Sequence, residues 1–279
     1  MKITFFLLIS TFLSSGITHA QKPLIEQSSS PLSIGETVTI HSELLDEDRI
    51  LNVYLPLGYS EDSLKNYPVI YLLDGSMDED FVHISGLVQF GSFSWINMLP
   101  QTIVIGIANV DRKRDFTYPT NNEQDKKDFP TTGKSKEFIS FLETELQPFV
   151  QSRYRLNDTS TIIGQSLGGL LATEILAKHP HLFDNYIIVS PSLWWDDESL
   201  FQHFQEASIE DKSIFIGVGK EGEIMEGAAK KLHASLKNVC GESVRLYYEF
   251  FEGSDHGDVL HLAAYSAFEQ IFQLEMKKH

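Results

Sequence analysis

The chain has a single cysteine, Cys240, in 279 residues. No intrachain disulfide can form, so stability has to come from a packed core. Basic residues are scarce too: 22 Lys and Arg stand against 39 Asp and Glu, for a formal net charge of −17. A chain this acidic has no general attraction for nucleic acid or anionic membranes, and a small-molecule substrate is the better expectation. Past residue 20 no apolar run is long enough to span a bilayer. There is no internal repeat, which excludes solenoids and propellers.

What is present begins with Met1-Lys2, an apolar run from Ile3 to Ile17, and Thr18-His19-Ala20 before Gln21. That order of charge, apolar stretch and small residue predicts a secretory signal peptide cut after Ala20, hence a periplasmic or secreted protein with no stable membrane insertion once the leader is removed. An uncleaved membrane anchor is the alternative, disfavoured because the apolar run is short and broken by Ser14, Ser15 and Gly16. Residues 21–36, rich in Ser, Pro and Gln without periodicity, read as an extended arm. Residues 37–279, in a chain that is 42% hydrophobic, suffice for one α/β domain.

Within that domain, Thr37–Ile40 and Leu51–Tyr54 flank the acidic stretch Glu43–Asp48 and predict an antiparallel hairpin at a sheet edge. From residue 68 onward, short continuous apolar runs alternate with helix-period segments, as buried parallel strands alternate with crossover helices. The runs are 68–73, 102–108, 159–163, 186–189, 213–218 and 244–250; the helices are 135–152, 167–178, one carrying Met225, Ala228, Ala229, Leu232 and Leu236, and 259–276. Together they predict an eight-strand, mostly parallel sheet with helices on both faces. Asp111–Lys134 is the one long irregular stretch. Its basic residues Arg112, Lys113, Arg114, Lys126, Lys127 and Lys134 either pair with Asp115, Asp125 and Asp128 or attract an anionic ligand.

The chemistry centres on Gly164-Gln165-Ser166-Leu167-Gly168-Gly169, a Gly-x-Ser-x-Gly at the junction of an apolar strand and a helix. In that context it reads as a nucleophile elbow, which holds its serine in a strained turn and leaves neighbouring positions no room for a Cβ. A serine hydroxyl needs a base, and in such folds the acid and then the histidine follow it in the chain. Of the ten histidines, His256 lies in a loop directly after the last strand; His233 and His261 fall in helices and His279 is the terminus. The acid should follow the strand 213–218, where Glu221 and Glu223 compete. Glu221 is nearer the strand end and is favoured, with Asp196 and Asp197 a third choice. An oxyanion hole is expected from the backbone N–H groups of Leu167 and of Ser76, which follows Asp74-Gly75 after the strand 68–73.

With these residues in place the chain resembles the esterase family of α/β hydrolases that includes esterase D, the enterochelin and salmochelin esterases and the mycolyltransferases. The resemblance rests on Tyr67–Gly75, on Arg114-Asp115-Phe116-Thr117, on the elbow, on Ser190-Pro191-Ser192-Leu193-Trp194-Trp195, and on the His256-Gly257 loop. It implies the α/β-hydrolase fold, a serine carboxylic ester hydrolase with a Ser-His-acid triad, and no metal or cofactor. Export, with Trp194 and Trp195 walling an acyl pocket beside Arg114, points to a siderophore esterase opening catecholate trilactones; for the tryptophans, plain core packing is the alternative. A carbohydrate acyl esterase, an acyltransferase and a non-catalytic binding protein on the same fold are the competing expectations.

Overall fold

The computed structural model describes residues 27–59, 64–205 and 209–276. The chain divides into two units, Met1–Ser33 and Ile34–His279. In the first, residues 27–33 carry no helix or strand. The leader and its cleavage point lie outside the described residues.

The second unit is built on one eight-stranded sheet in the order β1-β2-β4-β3-β5-β6-β7-β8. Strands β1 (Gly35–Ser42) and β2 (Glu47–Tyr54) form the expected antiparallel hairpin, and β2 also runs antiparallel to β4 (Ile103–Ile107). All other pairings are parallel, through β3 (Tyr67–Leu72), β5 (Leu156–Gln165), β6 (Asn185–Val189), β7 (Ser213–Gly219) and β8 (Arg245–Phe251).

Every residue of β3, β4, β6 and β7 is buried, which is why these strands read as unbroken apolar runs instead of alternating ones. Alternation survives in three dimensions as a choice of face. Val69, Tyr71, Ile162, Tyr186, Ile188, Ile214 and Ile216 point to one core, while Ile70, Leu72, Ile163, Ile187, Val189 and Phe215 point to the other. On the second face lie α1 (Phe81–Gly91) and the C-terminal helix; on the first lie the remaining long helices. Burying each such side chain contributes about 1.5–3 kcal/mol, so two cores stand in for the disulfides the chain cannot make.

The helix α1 is an addition to the sequence reading. Between β4 and β5 come α2 (Arg112–Phe116), α3 (Glu123–Asp128), α4 (Ser135–Phe141) and α5 (Gln147–Arg153), the last two joined through a π turn, Leu142–Leu146. The stretch 111–134 is therefore not wholly irregular: Asp111 accepts the Arg114 N–H and Asn122 accepts from Gln124 and Asp125, each side chain capping a short helix. The helix α6 (Leu167–Lys178) follows β5, α7 (Trp195–Glu198) follows β6, α8 (Glu223–Val239) follows β7 and α9 (Val259–Met276) follows β8. Cys240 caps the C-terminus of α8, half-buried, and burial pushes its thiol up to about 11. Among the described residues no helix is long and apolar enough to cross a membrane.

Candidate active site

Loops leaving the C-terminal ends of β3, β5, β6, β7 and β8 converge at one end of the sheet, where open α/β sheets bind ligands. Ser166 sits between β5 and α6 with φ 59° and ψ −118°. A non-glycine residue held there stores roughly 1–3 kcal/mol and persists only where its surroundings insist on it. Here they do. The Ser166 N–H donates to Val189 O at 3.0 Å, and Ser166 O accepts from the Leu170 and Ser192 N–H groups at 2.9 and 3.0 Å. The glycines around it allow the approach: a Cβ on Gly164 would lie 2.3 Å from Gly168 O, and one on Gly169 would lie 2.9 Å from Val189 O.

Glu221 and His256 meet in space. His256 Nδ1 lies 2.5 Å from Glu221 Oε2, and the other carboxylate oxygen accepts from Ser190 Oγ at 2.5 Å and from the Gly219 N–H at 2.9 Å. Burial of the Glu221 side chain works to raise its pKa, but the bonds from His256, Ser190 and Gly219 outweigh it and hold the carboxyl below its ordinary value. An ionised carboxylate can only accept, so Nδ1 carries a proton, and the neutral ring in that tautomer has its lone pair on Nε2. The Glu221 side chain is 3% exposed and that of His256 47%, a buried anchor behind an open ring. Glu223 opens the first turn of α8. Asp196 accepts from Thr120 Oγ1 and the Asn121 N–H, and Asp197 from Asn122 Nδ2; both tie the 111–134 stretch down.

Ser166 and His256 line two cavities together. One, of about 700 Å³, is completed by Ser192, Trp194, Lys220, Glu221, Met225 and Asp255. The other, of about 370 Å³, is walled by Asp74, Glu79, Asp80, Arg112 and Gln165. In the second, burial and the charges of Asp74 and Glu79 push the Asp80 carboxyl up to about 6.

Two sequence expectations, Arg114 and Trp195 as pocket residues, need correction. Arg114 is not in the pocket: its guanidinium pairs with Glu47 and Asp115, which also hold the buried Arg49. The arginine at the site is Arg112, whose Nε and Nη2 bind the Asp74 carboxylate at 2.6 and 2.9 Å and whose Nη2 also donates to Gln165 O at 3.2 Å. Trp195 is fully buried, its Nε1 donating to Tyr118 O, so only Trp194 walls the cavity. The Ser76 N–H donates to Glu79 Oε2 at 3.3 Å, so the expected oxyanion donor already has a partner. Leu167 begins α6, where first-turn N–H groups lack intrahelical acceptors. The sequence reading also passes over Gln165, whose Nε2 donates to His256 O at 2.6 Å.

A sheet of this order, with a serine on the strand-to-helix turn and a histidine after the last strand, defines an α/β hydrolase. The chain belongs to the family described as "Putative esterase", whose model matches residues 42–258. It is similar to the ferri-bacillibactin esterase BesA of Bacillus subtilis (strain 168), 27% identical over 237 residues that cover 77% of this chain and 82% of that protein. Among solved structures it resembles an IroE-like serine hydrolase from Shewanella oneidensis, with TM-score 0.77 and 27% identity over 86% of this chain and 80% of the other. The BES protein from Bacillus cereus matches with TM-score 0.77 and 26% identity over 90% and 99%. The protein is a serine esterase, a carboxylic ester hydrolase.

Proposed function

We propose that the protein is an exported esterase that opens the ester bonds of a catecholate trilactone siderophore, with Ser166, His256 and Glu221 as its catalytic triad. The observation that carries the triad is the 2.5 Å contact of His256 Nδ1 with Glu221, beside a strained Ser166 that lines the same cavity. In the first step His256 Nε2 takes the proton of Ser166 Oγ as Oγ bonds to the ester carbonyl carbon. The oxyanion is met by the Leu167 N–H and, once Glu79 releases it, by that of Ser76. The carbon–oxygen bond to the leaving alcohol breaks as His256 returns the proton to that oxygen. Water, deprotonated by His256, then attacks the acyl-enzyme, and the acid leaves with Ser166 restored.

Support for the substrate comes from the relatives, one of which is a ferri-bacillibactin esterase, and from a cavity of about 700 Å³ that offers Trp194 and Met225 to an aromatic acyl group and Lys220 to its negative charge. The test compares wild type with Ser166→Ala on p-nitrophenyl acetate, a longer acyl ester, an acetylated xylo-oligosaccharide and a catecholate trilactone with and without iron. Serine-dependent turnover strongest on the trilactone is expected; activity confined to simple or sugar esters refutes the siderophore assignment. Export predicts a mature N-terminus at Gln21, which N-terminal sequencing of the secreted protein reads directly.

A further inference from the structure

The elbow and the histidine loop are joined by one side chain that the triad does not include. Gln165, the last residue of β5, precedes Ser166, and its Nε2 donates to the main-chain carbonyl of His256 at 2.6 Å. Its own main-chain carbonyl accepts from Arg112 Nη2, whose guanidinium is clamped by Asp74, so Gln165 is itself held in place.

Among the described residues the His256 ring is hydrogen-bonded through Nδ1 to Glu221, and its side chain is 47% exposed. The loop around it is braced internally, by Asp255 N to Asp258 Oδ1 and Gly257 N to Asp255 Oδ1, and is tied to the sheet by Lys220 N to Ser254 O at 2.7 Å. Those bonds shape the loop as a unit. The Gln165 bond is the one that fixes the backbone of His256 itself relative to the residue beside the nucleophile.

We infer that Gln165 is a positioning residue for the esterase reaction, setting the approach of His256 Nε2 to Ser166 Oγ through the His256 carbonyl. The inference rests on Ser166 and His256 acting as nucleophile and base. A near-attack geometry is steep: a displacement of about 1 Å in a catalytic group costs on the order of 100-fold in rate. The loss therefore falls on the chemical step and leaves binding in the Trp194 cavity untouched.

The experiment uses the full chain as wild type, Gln165→Met, Gln165→Glu and Ser166→Ala. Gln165→Met keeps the length and removes the donor; Gln165→Glu keeps the shape and sets a carboxylate oxygen against the carbonyl. Measured are kcat and KM on p-nitrophenyl acetate, the rate of fluorophosphonate labelling, and Tm. Both Gln165 variants are expected to lose about 10- to 100-fold in kcat and in labelling rate, with KM and Tm unchanged. Wild-type kcat and labelling in Gln165→Met, with Ser166→Ala dead, overturn the role of Gln165 alone. A kcat loss matched by a raised KM or a lowered Tm in both variants overturns it in favour of a merely structural role. Activity surviving in Ser166→Ala overturns the nucleophile, and the role of Gln165 with it.

Discussion

Replacing Glu221 with glutamine tests the triad more sharply than removing the side chain. Oε1 receives two donors, the Ser190 hydroxyl at 2.5 Å and the Gly219 N–H at 2.9 Å, while Oε2 faces His256 Nδ1 at 2.5 Å. The hydroxyl can rotate away, but the Gly219 N–H cannot, so the amide oxygen of the introduced glutamine must take the Oε1 position. Its NH₂ group is then turned toward Nδ1 and requires a lone pair there. The ring proton moves to Nε2, the atom that has to accept from Ser166. An imidazole in the wrong tautomer costs about 10⁴ in kcat. That is about 5.4 kcal/mol of transition-state stabilisation at 1.36 kcal/mol per tenfold. Glu221→Ala leaves the tautomer free and is expected to be the less damaged of the two, and Glu223→Gln is expected to keep wild-type kcat. Initial rates on p-nitrophenyl acetate and fluorophosphonate labelling report all three. A Glu221→Gln enzyme within tenfold of wild type, or clearly faster than Glu221→Ala, refutes the tautomer argument. The same carboxylate gives a pH signature. Its folded pKa lies below the ordinary 4.5, so its contribution to stability is full above that value and is lost as pH falls through the folded pKa. The stability gap between wild type and Glu221→Gln should therefore close in acid.

The two tryptophans should separate by readout: Trp195→Ala, emptying a fully buried site, costs about 3–5 kcal/mol in denaturant melts. Trp194→Ala instead raises KM for aromatic acyl esters by about 2- to 10-fold, the worth of one aromatic contact, and leaves Tm near wild type. Arg114→Met should cost about 1–3 kcal/mol, less than a fully stranded buried charge because Arg49 still faces Asp115, and kcat on p-nitrophenyl acetate should not change. Asp80→Asn should raise stability at pH 8 and not below pH 4. A carboxyl raised from 3.8 to about 6 binds more protons folded than unfolded, so wild type loses stability as pH climbs between those values. Melts across that range with no widening gap would refute the burial of Asp80 against Asp74 and Glu79.

Much of this is legible in the sequence because local rules and tertiary structure agree. The edge hairpin shows as alternation, the parallel strands as unbroken apolar runs, and the elbow as glycines whose Cβ atoms would strike backbone. Glu221 is readable from its place at a strand end. Where the reading slips, the deciding fact is a direction that spacing does not carry. Arg112 and Arg114 stand two residues apart on α2, and residues at that separation face opposite sides of a helix. One arginine meets Asp74 at the site and the other meets Glu47 and Asp115, although the chain offers both in the same basic stretch. Trp194 and Trp195 divide in the same way between cavity and core. The helix α1 escapes notice because Gly86 and Gly91 dilute its pattern, although Phe81, Ile84 and Val88 bury at helical spacing. Gln165 looks like filler because its partner lies 91 residues away.

The strain at the site is equally invisible to composition, since glycine does not carry it. Asp74, Ser166 and Ser190 all take left-handed φ, at 54°, 59° and 43°, and each lies where the chain leaves a central strand. At roughly 1–3 kcal/mol apiece, such turns survive only if tertiary bonds hold them. Those bonds form a circuit. Ser166 N–H reaches Val189 O, the next residue's Ser190 Oγ reaches Glu221, Glu221 takes His256 Nδ1, and the His256 carbonyl takes Gln165, which adjoins Ser166. Four strand ends are thereby linked in a loop that begins and ends at the elbow, and Arg112 fastens it to Asp74 on a fifth. The Ser190 turn aims its hydroxyl at Glu221 and the Asp74 turn aims its carboxylate at Arg112. The strain is therefore a consequence of pointing five loops at one place, and its cost is offset by the same hydrogen bonds that set the geometry of the proposed triad.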